Sequence, residues 1–245
     1  MILDDGYQFG LGAFETIAVY KKKAVLLKEH LERLNNTLNF LGIERVVTEK
    51  DLQSYIEREP LEYFALKVLV SDKNLIVTTR DIHYSKDHYS KGFDIEFSKI
   101  RRNNTSPLVF HKTFNYGECI MEKRAALKMK IDELLFLNFN EEICEGTTCN
   151  IFFVKDNKIY TPKLSCGMLP GIIRSYVCKN YDVTETIIKT SDISEFEECF
   201  VTNSLMGIMP VHRLGDKVFE ERSVVKRLCV EYFGKVVGCL DVDME

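Results

Sequence analysis

No stretch of the chain stays apolar for the roughly 20 residues that a bilayer-spanning helix needs. No CxxC pair occurs among the eight cysteines, so the usual ligand spacing of structural zinc is missing and no metal is expected. The N-terminus, Met1-Ile2-Leu3-Asp4-Asp5, has neither a cationic start nor an apolar run. No secretory leader is expected from it, and hence no disulfide framework. The cysteines read mostly as small buried apolar residues. Charge of one sign is also scarce: a net charge of −4 gives no reason to expect nucleic acid or an anionic membrane as a partner. The basic cluster Lys21–Lys23 reads as a solvated turn. There is no internal repeat and no low-complexity segment. These absences leave a soluble, cytoplasmic protein.

What is present is enough for one large domain or two lobes: 245 residues, 45% of them hydrophobic. Asp4–Gly12 (DDGYQFGLG) reads as a loop leading into a strand over Ala13–Tyr20. Leu27, Leu31, Leu34, Leu38 and Leu41 step by four and three, which gives a helix with one apolar face, stopped by Gly42. His30, Arg33 and Thr37 form an adjacent stripe, and pattern alone favours Arg33 as a solvated helix residue. Thr48 caps a short helix to Glu57, with Asp51 three residues on. Tyr63–Val70 and Leu75–Thr79 form a hairpin pattern. Within it Lys67 reads as an outward-facing residue between Leu66 and Val68.

Further strands are predicted over Phe93–Ile100, Glu133–Asn138, Asn150–Val154, Lys158–Thr161 and Cys199–Asn203. Another hairpin turns at Gly215-Asp216. Helices are predicted over Gly117–Lys130, from Gly171 to about Asn180, and from Ser223. Strands outnumber helices and return through short turns, which indicates an α+β protein with largely antiparallel sheets. Arg101–Ser106 is the most polar mid-chain stretch and the candidate linker.

Two stretches carry chemistry. In His111–Glu118 (HKTFNYGE), Lys112 follows the apolar run Pro107–Phe110, where a buried strand would end. A lysine there is costly unless it is paired or used. Outward alternation, as for Lys67, explains it equally well. The second stretch, Glu145–Asn150 (EGTTCN), puts a carboxylate ahead of the strand Ile151–Val154. Between them in role is Leu169-Pro-Gly-Ile-Ile-Arg174, where a helix start offers free amides to an anion; a plain helix start reads the same way.

Together with His30-x-x-Arg33-Leu34 and Thr202-Asn-Ser204, these five motifs in order resemble the class IV aminotransferase family, the fold type IV pyridoxal-phosphate enzymes. The likeness runs from Asp4 to about Val211. It implies an N-terminal α/β sandwich lobe with an antiparallel sheet over 1–102, a linker at 103–107 and a C-terminal pseudo-barrel lobe over 108–245. It implies pyridoxal 5′-phosphate as cofactor, a small-molecule substrate and a homodimer. Residue by residue, Lys112 matches the Schiff-base lysine, and Glu145 the carboxylate on the pyridine nitrogen. Arg33 and the amides at Gly171, Ile172 and Ile173 match the phosphate site. Thr202 and Asn203 match the loop over it, and Tyr116 a tyrosine near the ring. Ile173 departs from the threonine of many members.

The linker and lysine stretch, the Thr202–Val211 segment and the short chain resemble aminodeoxychorismate lyases of this family. That implies pyruvate elimination giving p-aminobenzoate, a step of folate biosynthesis. A branched-chain or D-amino acid aminotransferase is the alternative. Arg80-Asp81-Ile82-His83 lies where the carboxylate trap of D-amino acid aminotransferases would be, but with the wrong spacing. A catalytically silent cofactor-binding homologue, or a binding domain without cofactor, are the non-enzyme readings.

Overall fold

The computed structural model describes residues 1–238. In chain order the elements are α1 (Asp5–Phe9), β1 (Gly12–Tyr20), β2 (Lys23–Ala24), α2 (Leu27–Phe40), α3 (Glu49–Arg58), β3 (Tyr63–Ser71), β4 (Leu75–Asp81), α4 (Lys86–Lys91) and β5 (Phe93–Arg102). They continue as α5 (Gly117–Met129), β6 (Glu133–Asn138), β7 (Ile143–Gly146), β8 (Asn150–Lys155), β9 (Lys158–Pro162), α6 (Ile172–Asn180), β10 (Val183–Thr186), β11 (Glu198–Asn203), β12 (Gly207–Leu214), β13 (Lys217–Val218) and α7 (Ser223–Tyr232).

The first four strands form an antiparallel sheet in the order β2-β1-β3-β4. Alternation decides what each face does. Ile17, Val19, Phe64, Leu66, Val68 and Val70 pack with Leu34, Leu38, Leu52 and Ile56 of α2 and α3 in one core. Leu34, Leu38 and Leu52 are fully buried there, each stabilising the lobe by about 1.5–3 kcal/mol. The leucine stripe thus forms the expected helix. α3 starts with the Thr48 and Asp51 capping box. The opposite face carries Phe14, Thr16, Lys67, Leu69 and Arg80, and all five border a cavity.

Six strands of the larger sheet run β8-β11-β12-β5-β6-β7, and the β7–β8 pairing closes them into a ring. β9 and β10 extend it beyond β8. The core packed on these strands includes the stacked rings of Phe152 and Phe200, 4.7 Å apart. This is a two-lobed α+β fold. β5, within the stretch expected to form the N-terminal lobe, pairs with β6 and β12, so the larger sheet draws strands from both sides of 103–107. Residues 239–245 of the expected second lobe lie outside the described part.

Several local expectations are corrected. Pro107–Phe110 is a 3-10 turn with no buried residue, not a strand. Pro107 and the half-exposed side chains suit a turn better than a sheet interior. Asp4 starts a short helix by accepting the amides of Gly6 and Tyr7, so the expected loop is partly helical. β7 and β10 were not expected. β7 is only four residues long and fully buried, so alternation has nothing to show. Pro210 lies inside β12.

The HKTFNYGE stretch is docked on the start of β1. The Phe14 amide donates to the Lys112 carbonyl at 3.0 Å, and the Phe114 amide to the Gly12 carbonyl at 2.8 Å. Gly12 permits this approach: a Cβ there would lie 2.3 Å from the Phe114 ring.

Candidate active site

A cavity of about 530 Å³ lies between the two sheets, within the ~300–1,000 Å³ range of small-molecule sites. Arg33, Lys112, Tyr116, Glu145, Gly171, Ile172, Ile173, Thr202 and Asn203 all line it. Residues up to 170 positions apart are brought together because β1, α2, β7, β11 and the start of α6 converge there.

Lys112 projects its ammonium between two rings, 4.4 Å from the centre of Phe14 and 4.8 Å from that of Tyr116. Those rings meet edge to face at 5.1 Å. The Tyr116 hydroxyl donates to the Thr147 carbonyl at 3.2 Å. Burial, with the nearby Arg33 charge, pushes the Lys112 ammonium down to about 8, against the opposing pull of Glu15 and Glu145. Lowering the ammonium in this way brings its neutral form, which a nucleophile or proton acceptor requires, within reach near neutrality.

Glu145 is buried at the end of β7. Its Oε1 accepts from Arg102 at 2.6 Å, and its Oε2 accepts from the Leu169 amide at 3.1 Å. Burial lifts its carboxyl above the ordinary value, with Arg102 and the Leu169 amide pulling the other way. Burial also opposes the Arg102 charge, but Glu145 more than offsets it and raises the guanidinium. The short contact is that of a charge-assisted pair. Glu145 therefore has an enhanced affinity for a proton, restrained by its guanidinium partner. Arg102 was legible only as part of a polar linker; it instead ends β5 over the Phe136 ring.

Arg33 is not a solvated helix residue. Its Nε and Nη2 donate to the two oxygens of Glu15 at 2.7 and 2.8 Å, and its Nη1 donates to the Pro170 carbonyl at 3.1 Å. His30 contacts the same carboxylate through Nδ1 at 2.7 Å. Burial opposes the Glu15 charge, yet Arg33 and His30 hold its carboxyl far below the usual range. Burial pushes the His30 imidazole down, against the opposing pull of Glu15. A guanidinium has five N–H donors. Three are committed here, which leaves two in a guanidinium locked in place at the cavity wall. Glu15 was missed: its signal was a lone acid amid the apolar residues of β1.

The helix start of α6 lies beside it. Gly171 is the N-cap residue, and no side chain caps the first turn. Pro170 precedes the cap. A Cβ on Gly171 would fall 2.0 Å from Asn150 Oδ1, so only glycine lets the turn pass this close. Thr202 Oγ1 is buried and has no hydrogen-bond partner. An orphaned buried hydroxyl calls for a ligand. Asn203 turns its carbonyl oxygen to the Leu205 and Met206 amides, which shapes the loop after β11. Ile173 is buried in the larger core, so its amide, not its side chain, is what it offers.

Lys67 was expected to face outward without companions. It does face away from the helices, but that face of β3 is the cavity wall. Lys123 also lines the cavity, and Glu133 pairs with it at 3.2 Å.

These groups fit pyridoxal phosphate at both ends. The uncommitted donors of Arg33, the uncapped helix start and the orphan Thr202 hydroxyl suit a phosphate dianion. Glu145 suits a protonated ring nitrogen, and Lys112 suits an aldehyde carbon.

The fold and site define a fold type IV pyridoxal-phosphate enzyme. The Amino-transferase class IV family pattern matches residues 12–214, and the chain belongs to that family. It is 26% identical to a probable branched-chain-amino-acid aminotransferase of Rickettsia felis, over 96% of this chain and 90% of that one. It is 24% identical to the aminodeoxychorismate lyase of Bacillus subtilis, over 90% of this chain and 84% of the relative. A solved structure, a putative 4-amino-4-deoxychorismate lyase from Legionella pneumophila, superposes with a TM-score of 0.83 at 27% identity, covering 93% of this chain and 92% of that one.

Proposed function

We propose that the chain is a pyridoxal-phosphate-dependent lyase that converts 4-amino-4-deoxychorismate to p-aminobenzoate and pyruvate, working as a homodimer. The observation that carries the cofactor chemistry is the Lys112 ammonium, lowered to about 8, in one cavity with the Arg102-paired Glu145. Likeness to the Legionella pneumophila and Bacillus subtilis proteins supports the lyase reading. Likeness to the Rickettsia felis protein favours a second reading, an aminotransferase.

In this proposal Arg33, the Gly171–Ile173 turn and Thr202 would hold the phosphate. Glu145 would hold a proton on the pyridine nitrogen, and Tyr116 would flank the ring. When bound, the cofactor supplies a carbonyl that captures the substrate amine and a ring that stabilises negative charge on the adjacent carbon. Lys112, in its neutral form, would take the proton from the carbon bearing the amine onto its Nζ. Phe14 and Tyr116 on either side keep water from that nitrogen and preserve its neutral form. Arg102 keeps Glu145 charged, so the proton stays where it draws electrons. Breakage of the ether C–O bond would expel the enolate of pyruvate, the proton held at Lys112 Nζ would pass to it to give pyruvate, and the remaining ring would become aromatic.

The test is a product assay on holoenzyme. Aminodeoxychorismate should give pyruvate and p-aminobenzoate with no oxo acid required. Glutamate formed from 2-oxoglutarate with leucine or D-alanine would replace the lyase by the aminotransferase.

A further inference from the structure

Glu133 is a buried carboxylate at the start of β6 that the proposed chemistry does not use. A buried charge is costly unless it is paired and hydrogen-bonded, and this one is both. Its Oε1 accepts the Leu134 amide at 3.0 Å, the Thr147 amide at 3.1 Å and the Thr147 hydroxyl. Its Oε2 accepts the Thr148 hydroxyl at 3.0 Å and the Lys123 ammonium at 3.2 Å. Cys149 Sγ lies 3.7 Å from the same oxygen.

Thr147, Thr148 and Cys149 make up the turn that joins β7 to β8, directly after Glu145 and Gly146. One side chain therefore holds the whole turn. The fit is close: a Cβ on Gly146 would lie 2.5 Å from Cys149 Sγ and 3.0 Å from Glu133 Cγ. The Thr147 amide is shared with the Leu134 carbonyl at 3.1 Å, whereas the Thr147 hydroxyl goes to Glu133. Thr148 and Cys149 border the cavity.

The same turn reaches the reactive lysine through α5. Tyr116 is the N-cap residue of α5, and Lys123 lies about two turns further along that helix. Both are tied to β6 and the turn. The Tyr116 hydroxyl donates to the Thr147 carbonyl at 3.2 Å. Lys123 Nζ donates to the Asp132 carbonyl at 2.6 Å as well as to Glu133. The Tyr116 ring centre is 4.8 Å from Lys112 Nζ. A continuous chain of contacts thus runs from Glu133 to Thr147, from Thr147 to Tyr116, and from Tyr116 to Lys112.

We propose that Glu133, with Lys123 as its counter-ion, is a positioning residue for the reactive amine: it fixes Thr147, Thr147 fixes the Tyr116 ring, and that ring closes one side of Lys112 Nζ against water. The role of Lys112 as the reactive group rests on the cofactor reading above. A loosened turn lets the ring swing and water reach Nζ, and a hydrated ammonium keeps its proton to higher pH. The charged and titratable groups facing Lys112 are Arg33 of α2, Glu15 of β1, Glu145 of β7 and Cys119 of α5. None of them is altered in the variants below, so a change in Lys112 reports on its exposure to water.

The experiment measures the rate of acetylation of Lys112 by acetic anhydride against pH, read by peptide mass spectrometry on the full chain. In wild type the rate should have its midpoint near 8. Glu133→Leu removes the acceptor and should raise that midpoint by about one pH unit, with labelling at the wild-type midpoint falling about fivefold. Glu133→Gln keeps a carbonyl for Thr147 and should restore most of the wild-type profile. Tyr116→Phe cuts the chain at its other end and should give the same rise. Combined with Glu133→Leu it should add nothing, because both act through one path. If Glu133→Leu does not fold, Thr147→Val takes its place in the same cycle. A midpoint unmoved by Glu133→Leu or Thr147→Val in a folded chain would overturn the inference, and so would additive rises in the double variant. The labelling needs no cofactor. Failure of wild type to bind pyridoxal phosphate would overturn the proposed function and leave the link from Glu133 to Lys112 to be judged on these profiles alone.

Discussion

Glu15 grips Arg33 through both carboxylate oxygens, at 2.7 and 2.8 Å, from the strand that also presents Phe14 to the cavity. The pair is the hinge between fold and site: β1 supplies the anion, α2 supplies the guanidinium, and His30 closes the set at 2.7 Å. Its main effect is positional. The guanidinium cannot turn away from the α6 start, because it also donates to the Pro170 carbonyl.

Replacing Glu15 by Gln leaves the buried Arg33 charge without its counter-ion. Removal of one partner from a buried pair costs about 3–5 kcal/mol. Urea unfolding of the apo chain should show a loss in that range for Glu15→Gln. A change under ~0.5 kcal/mol would mean the pair is screened like a surface one. Arg33→Lys should keep most stability yet weaken cofactor affinity about tenfold or more, since an ammonium cannot hold Glu15 and a phosphate in one plane.

The Lys112 ammonium, lowered from 10.5 to about 8, has a signed consequence. In the unfolded chain the group keeps its proton up to the higher value. Between the two values the unfolded state binds more protons, so apo-chain stability rises with pH there. Below the lower value the penalty for charging a buried lysine is fully present. The rate at which the apo chain captures the cofactor should climb with a midpoint near 8 and then level. A rate still rising tenfold per pH unit beyond 9 would contradict the environment assigned to Lys112.

Glu145→Gln should retain the bound cofactor but lose turnover by about 10²-fold or more. The amide cannot draw a proton onto the ring nitrogen. Arg102→Met should act through Glu145: a buried carboxylate without its guanidinium takes up a proton more readily. The pH profile of turnover should therefore shift its acid limb upward in Arg102→Met. An unshifted limb with lower stability would reduce Arg102 to a packing role.

Gly171→Ala places a Cβ 2.0 Å from Asn150 Oδ1, and that oxygen must move. Asn150 also donates to the Leu169 carbonyl at 2.9 Å, so the displacement reaches the turn that would seat the phosphate. Overpacking of this kind costs about 1–3 kcal/mol. Titration with cofactor should show at least tenfold weaker binding. Unchanged binding would show that the turn accepts a side chain.

Much of this was legible in sequence wherever one physical signal acted alone. The leucine stripe gave α2, the alternation gave the β3–β4 hairpin, and the Thr48–Asp51 pair gave the start of α3. The cavity residues named from motifs do meet in space. What stayed hidden depended on which face of an element meets what. Alternation set Lys67 apart from the apolar face of β3, but could not say that its own face looks onto a second lobe instead of water. Arg33 sat on a polar stripe that only the partner acid, 18 residues away on β1, turns inward. Arg102 read as linker because its partner Glu145 lies 43 residues on. β7 was invisible because a short strand buried on both sides shows no alternation.

Three lysines line the cavity, Lys67, Lys112 and Lys123. The central claim is that Lys112 carries the cofactor. Incubating the chain with pyridoxal phosphate, reducing with borohydride and mapping the peptides by mass spectrometry tests it directly. The expected result is a phosphopyridoxyl label on Lys112, with loss of visible absorbance in Lys112→Ala. A label on Lys67 or Lys123, or no label at all, would contradict it.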